Sequence, residues 1–151
     1  MFKNILIIGF GMIGSSIARS VIKKYKNVNI FAFDKSNNLK IRIKKSKLNN
    51  VIVLKSLQEI NKLNIDLIII CVPMLQYQSI FKKLSNINLD KTIVTDVGST
   101  KVIIEKLYNQ KKYKFNFIPS HPIAGIEKAG LEHGFDAVSY THLTLPTMMS
   151  V

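Results

Sequence analysis

The chain has 151 residues, 47% of them hydrophobic, and a formal net charge of +13 from 22 basic and 9 acidic side chains. That length suggests a single domain, and the longest apolar stretch, residues 67–75, falls far short of the roughly 20 residues a membrane helix needs. One cysteine, Cys71, excludes an intrachain disulfide framework and fits a reducing, cytoplasmic compartment.

The first predicted element is a strand over residues 4–8. It runs into Gly9-Phe-Gly11-Met12-Ile13-Gly14, and a helical pattern with apolar Ile13, Ile17, Ala18, Val21 and Ile22 continues over residues 12–25. The glycine spacing and the helix after it favour a strand over a signal peptide for this N-terminus. Strand, G-x-G-x-x-G and helix together describe the phosphate-binding turn of a dinucleotide-binding βαβ unit. Gly9 permits the tight turn, Gly11 leaves room for a pyrophosphate, and Gly14 lets the helix approach the strand. The backbone N–H groups around Met12 and Ile13 open the helix and face the phosphates.

A second strand over 28–33 ends at Asp34, 20 residues after Gly14, where this motif places an acid for the adenosine ribose. Then come a basic helix over 37–48, a short strand over 51–54 and a short helix opened by Ser56-Leu-Gln-Glu59 with capping-box spacing. A buried strand over 66–72 stops at Pro73. Cys71 within it reads as a small buried hydrophobe. A helix over 76–84, a strand over 92–96, a helix over 100–110 and a strand over 115–118 complete the alternation. The fold class expected is α/β: a Rossmann-type doubly wound parallel sheet in three α/β/α layers, with strand order 3-2-1-4-5-6.

Ligands in such sheets bind beyond the carboxyl ends of the strands. Gly9, Asp34, Cys71-Val72-Pro73, Asp96 to Ser99 and His121 all fall there. His121 follows a strand and precedes a proline, which restricts its backbone; both features favour a catalytic role over a structural one. Ser99 is suited to a catalytic contact, to capping the next helix, or to both. Asp96 is expected to hydrogen-bond within its loop, and Lys101 to contact that loop from the first helical turn. The lysines are scattered over helix faces without interleaved aromatics, so a solvated surface is expected and no nucleic-acid partner.

Residues 138–151 continue no strand–helix rhythm and resemble a translated sequencing adaptor. They are set aside as a non-native tail, leaving residues 1–137 as a nucleotide-binding domain that is incomplete at its C-terminal end.

Two segments, Asp96-Val-Gly-Ser99-Thr-Lys101 and His121-Pro-Ile-Ala-Gly125-Ile-Glu127, place Ser99 and His121 22 residues apart. With the glycine turn, Asp34 and Cys71-Val-Pro-Met74, they resemble the prephenate and arogenate dehydrogenase family of tyrosine biosynthesis. The resemblance spans residues 3–137 and implies an NAD-dependent oxidoreductase, with NADP as the alternative cofactor. Asp34 favours NAD, because a carboxylate accepts from a 2′-hydroxyl and repels a 2′-phosphate; Lys35 beside it weakens that preference.

The same resemblance implies roles. His121 receives the proton of the substrate's ring hydroxyl, Ser99 orients this histidine and the nicotinamide amide, Gly125 lets its loop approach the ligand, and Glu127 lies near the site mouth. Gly9, Gly11, Met12, Ile13, Gly14, Asp34, Cys71, Val72, Pro73 and Ser99 contact cofactor; Ser99, His121, Gly125 and Glu127 contact substrate; no metal is expected. The implied substrate is prephenate or arogenate. The full-length protein is expected to add a helical domain and to form a homodimer, and this chain alone is expected to turn over little substrate. Other readings of the same residues are a cyclohexadienyl dehydrogenase, a different Rossmann dehydrogenase, or a non-catalytic NAD-binding module.

Overall fold

The computed structural model describes residues 2–111, 113–122 and 143–144. Six parallel strands form one sheet: β1 (Asn4–Ile8), β2 (Asn29–Phe33), β3 (Val51–Val53), β4 (Leu67–Ile70), β5 (Ile93–Asp96) and β6 (Asn116–Ile118). Their spatial order is β3-β2-β1-β4-β5-β6, the arrangement read from the sequence. The chain order reverses between β1 and β4, whose register pairs Ile8 with Ile70. A crevice therefore opens between the ends of these two strands.

Both faces of the sheet are covered, which explains why the strands read as unbroken apolar runs. Successive side chains alternate between faces. Leu6 and Ile8 of β1 join Ile68 and Ile70 of β4 in one core, with helices α3 (Tyr77–Leu84) and α4 (Lys101–Gln110) above them. Ile5 and Ile7 join Ile30, Ala32 and Ile69 in the other, beneath α1 (Met12–Lys24) and α2 (Leu39–Lys45). Phe81 of α3 anchors the first core. It is fully buried and meets Tyr77, Tyr108, Tyr113, Phe115 and Phe117 edge-on, with ring centroids 5.1–6.2 Å away.

The elements differ from the sequence reading mainly at their ends. Helix α2 closes at Lys45 rather than running to residue 48. The Ser56 capping box is present, but the helix it opens is a 3-10 segment, Leu57–Lys62. Another 3-10 turn, Met74–Gln76, precedes α3. Strand β4 ends at Ile70, so Cys71 sits just past it and is half-buried instead of lying inside the strand. Its N–H still donates to the Ile8 carbonyl at 2.7 Å, carrying the ladder one residue further. Beyond β6, His121–Pro122 (β7) pairs antiparallel with Leu143–Thr144 (β8), the latter inside the segment set aside as a tail. Among the described residues no helix is long and apolar enough to cross a membrane.

Candidate functional site

The turn after β1 is built as its glycines require. Gly9 has φ = +89°, a region L side chains rarely adopt, and a Cβ there would lie 2.6 Å from the Cys71 carbonyl oxygen. A Cβ on Gly14 would press into the Gly9 carbonyl and reach within 3.0 Å of Ile7 Cγ2, so Gly14 is what brings α1 against β1. Gly11 differs. It has an ordinary extended backbone, and a Cβ on it would meet nothing within 4 Å. Packing in the chain does not require glycine at this position, and the space beside its backbone is open.

Helix α1 begins at this spot. Its first backward backbone bond is Ser15 N–H to Gly11 O at 3.0 Å. The N–H groups before Ser15 have no intrahelical partner and carry the positive end of the helix dipole. The first turn holds no acidic side chain, and Lys23 and Lys24 lie in the last turn, which suits an anion at the N-terminus.

Asp34 forms the opposite wall. One carboxylate oxygen accepts from Phe10 N–H at 2.7 Å and the other from Ser36 N–H at 2.9 Å. The residue thus ties the end of β2 to the glycine turn while staying partly exposed. Between the walls lies a cleft of about 160 Å³ lined by Gly9, Gly11, Asp34, Cys71, Val72 and Pro73, together with Lys35 and Gln76. Six residues expected from the sequence are therefore brought together around one cavity. Gln76 was not expected; its place in the turn after Pro73 was the available clue. Burial, and then the Asp96 carboxylate, push the Cys71 thiol well above its usual range, so it stays a neutral wall group near pH 7.

Met12, Ile13, Gly14 and Ser99 do not line this cleft. Gly14 is buried under the turn, and the Ile13 side chain packs on the core. Ser99 is exposed on the loop between β5 and α4. It does not cap α4: the N-cap is Thr100, with no side-chain capping bond.

Asp96, at the end of β5, is fully buried and acts as a hub. One oxygen receives Lys101 Nζ at 2.6 Å and Ser120 N–H at 3.2 Å; the other receives the Tyr77 hydroxyl and Gly98 N–H, each at 2.9 Å. The expected loop role of Asp96 and the loop contact of Lys101 are both present. Burial, and then this negative charge, raise the Tyr77 hydroxyl far above the usual tyrosine value, keeping it a donor. The residue after Ser120 is His121, which opens β7. The His121 side chain and all of Gly125 and Glu127 lie outside the described residues.

A doubly wound sheet with a glycine cradle and an acidic lip at its switch point defines a Rossmann-type nucleotide-binding domain. A family model described as "Prephenate dehydrogenase, nucleotide-binding domain" matches residues 17–143. The chain belongs to that family. It is 37% identical over 133 residues to a prephenate dehydrogenase of Lactococcus lactis, covering 85% of this chain and 36% of that protein. It is 30% identical over 147 residues to a cyclohexadienyl dehydrogenase of Zymomonas mobilis, covering 97% of this chain and 50% of that one. The crystal structure of the Aquifex aeolicus prephenate dehydrogenase in complex with hydroxyphenyl propionate and NAD⁺ superimposes with a TM-score of 0.77 at 29% identity, over 91% of this chain and 48% of that one. The chain spans half or less of the length of these proteins.

Proposed function

We propose that this chain is the NAD-binding part of a dehydrogenase that converts prephenate to 4-hydroxyphenylpyruvate by oxidative decarboxylation, arogenate being the alternative substrate. The observation that carries the reading is the vacant space at Gly11, at a helix N-terminus and across from Asp34. A pyrophosphate matches that space and the unpaired N–H groups of α1. The relative solved with NAD⁺ and a hydroxyphenyl compound supports both the cofactor and the substrate class.

Bound NAD⁺ would supply the hydride acceptor. The protein's own groups bind, orient and move one proton. Gly11 and the first turn of α1 hold the phosphates. Asp34 accepts from the ribose and disfavours a 2′-phosphate, which makes NAD⁺ the preferred dinucleotide even with Lys35 nearby. Ser99 and His121 follow β5 and β6 on the same sheet edge. His121, as a neutral imidazole, accepts the proton of the ring hydroxyl, and Ser99 orients it. Gly125 and Glu127 complete the substrate side. Aromatisation with loss of carbon dioxide drives the reaction, so positioning is the larger part of the catalytic task.

On this reading residues 1–137 are the nucleotide domain, and the sequence supplying the substrate carboxylate contacts and the dimer interface lies elsewhere in the complete reading frame. The protein translated from that frame is expected to oxidise prephenate with NAD⁺ as the better cofactor. His121→Asn should lower kcat by about 10²–10⁴-fold with NAD⁺ affinity retained. Unchanged turnover in His121→Asn would rule out His121 as the proton acceptor, and no turnover in the parent would leave a nucleotide-binding module.

A further inference from the structure

We propose that Asp96 is a positioning residue that fixes the two segments carrying Ser99 and His121 against each other. The inference rests on the catalytic reading of those two residues and adds the device that sets their spacing.

Four groups from four places converge on the one carboxylate. Tyr77 comes from the first turn of α3, Gly98 from the residue before Ser99, Lys101 from the first turn of α4, and Ser120 from the residue before His121. Ser120 is tied once more: its hydroxyl, 2.9 Å from Thr95 Oγ1, donates to the Asp96 carbonyl at 2.6 Å. Thr95 in turn donates to the Ile118 carbonyl at 2.7 Å. The loop after β5 and the chain leaving β6 are thus joined at a buried point, not only through the strand ladder. Gly98 belongs to the same device. A Cβ there would lie 2.9 Å from Asp96 Oδ2 and 2.9 Å from the Tyr77 hydroxyl, so a side chain at this position would press on the hub.

The chemistry of the hub requires an ionised carboxylate. All four partners donate, and the Lys101 ammonium is only 13% exposed and needs a buried counter-charge. An amide cannot substitute. Its NH₂ turned toward Lys101 and Ser120 would oppose two obligate donors. Turned the other way, Tyr77 can rotate its hydroxyl to accept, but the Gly98 N–H still faces a donor. Asp96→Asn therefore slackens the Lys101 and Ser120 side in one orientation and the Gly98–Ser99 side in the other.

The test uses the protein from its complete reading frame, measuring kcat, KM for prephenate, NAD⁺ affinity and thermal midpoint. Asp96→Asn should lower kcat by about 10²-fold, as expected for displacement of a reacting group by about 1 Å, while NAD⁺ affinity, carried mainly by the glycine turn and Asp34, changes less than about threefold. Lys101→Met should lower kcat in the same direction, and Lys101→Arg should recover most of the loss, because the charge partner is restored. Tyr77→Phe removes one donor without a charge change and gives a smaller kcat loss. It is the variant to rely on if Asp96→Asn does not fold. The proposal is overturned if folded hub variants keep kcat within about twofold of the parent, or if kcat and NAD⁺ affinity fall together. Ser99→Ala and His121→Asn serve as references. Losses in these two without losses in the hub variants defeat only the positioning role; no loss in any of them defeats the catalytic reading itself.

Discussion

At Gly9 the backbone turns with φ = +89° directly beneath the Cys71 carbonyl. Any side chain there meets both a strained conformation and a main-chain atom that cannot move aside. Gly9→Ala is expected to cost about 2 kcal/mol or more, read as a lower denaturant midpoint; an unchanged midpoint would mean the turn can rebuild itself. Asp34 has one job within the chain and, on the proposed function, a second toward a ligand. Asp34→Ala removes two charge-assisted bonds, to Phe10 N–H and Ser36 N–H. It should cost about 1–3 kcal/mol and also shift dinucleotide preference from NAD⁺ toward NADP⁺. Melting curves and titrations with both dinucleotides separate the two effects. That Asp34 lines the cleft was legible from its spacing after Gly14. That it braces the glycine turn was not, because a hydrogen bond across 24 positions leaves no mark in a linear pattern. The same holds for Asp96. Its loop role could be read, but its four partners come together only when α3, α4 and the end of β6 are folded around it.

At the scale of elements, α2 shows why ends were harder to read than centres. Lys47 takes φ = 55°, Leu48 N–H donates to Ile43 O at 3.2 Å, and Lys47 N–H donates to Lys44 O at 3.2 Å. This is a Schellman termination, with buried Leu48 and Ile43 supplying its apolar contact. The usual mark of that ending is a glycine, and a lysine stands there instead, so the helical pattern seemed to run on to residue 48. Lys47→Gly should stabilise the chain by up to about 1 kcal/mol, relief of left-handed strain being partly offset by unfolded-chain entropy. A loss of stability in denaturant melts would contradict this. The centres, by contrast, were written in the apolar runs. Alternate residues of β1 and β4 feed two different cores, and Phe81 sits where five rings converge. Phe81→Ala is expected to cost about 3–5 kcal/mol, measured by chemical denaturation.

Across the whole molecule, the two edges of the sheet have different tasks. The carboxyl edge holds the cleft, Ser99 and the start of β7. The opposite edge is a clasp, where Asp66 accepts from Lys3 N–H at 2.7 Å and Asn4 N–H at 2.9 Å and so pins β1 to β4 at the start of both. Those bonds, the one to Asn4 first, hold the Asp66 carboxyl below its ordinary value of 3.8. A lowered native value means the unfolded chain binds the proton more readily. The clasp therefore contributes fully above pH 3.8 and fades as pH falls below it through the native value. The stability gap between the parent and Asp66→Asn should be present at neutral pH and shrink in that acid window; a gap that is constant with pH would contradict the assignment.

The proposed function requires a dinucleotide lying against the turn between β1 and α1. Calorimetric titration of NAD⁺ into the parent chain and into Gly11→Ala tests it most directly, because a methyl group at Gly11 touches nothing in the protein. The expected result is saturable binding to the parent, and binding weakened at least about tenfold in a variant with an unchanged thermal midpoint. Equal affinity in the two chains, or no binding to a folded parent, would contradict the assignment of the glycine cradle.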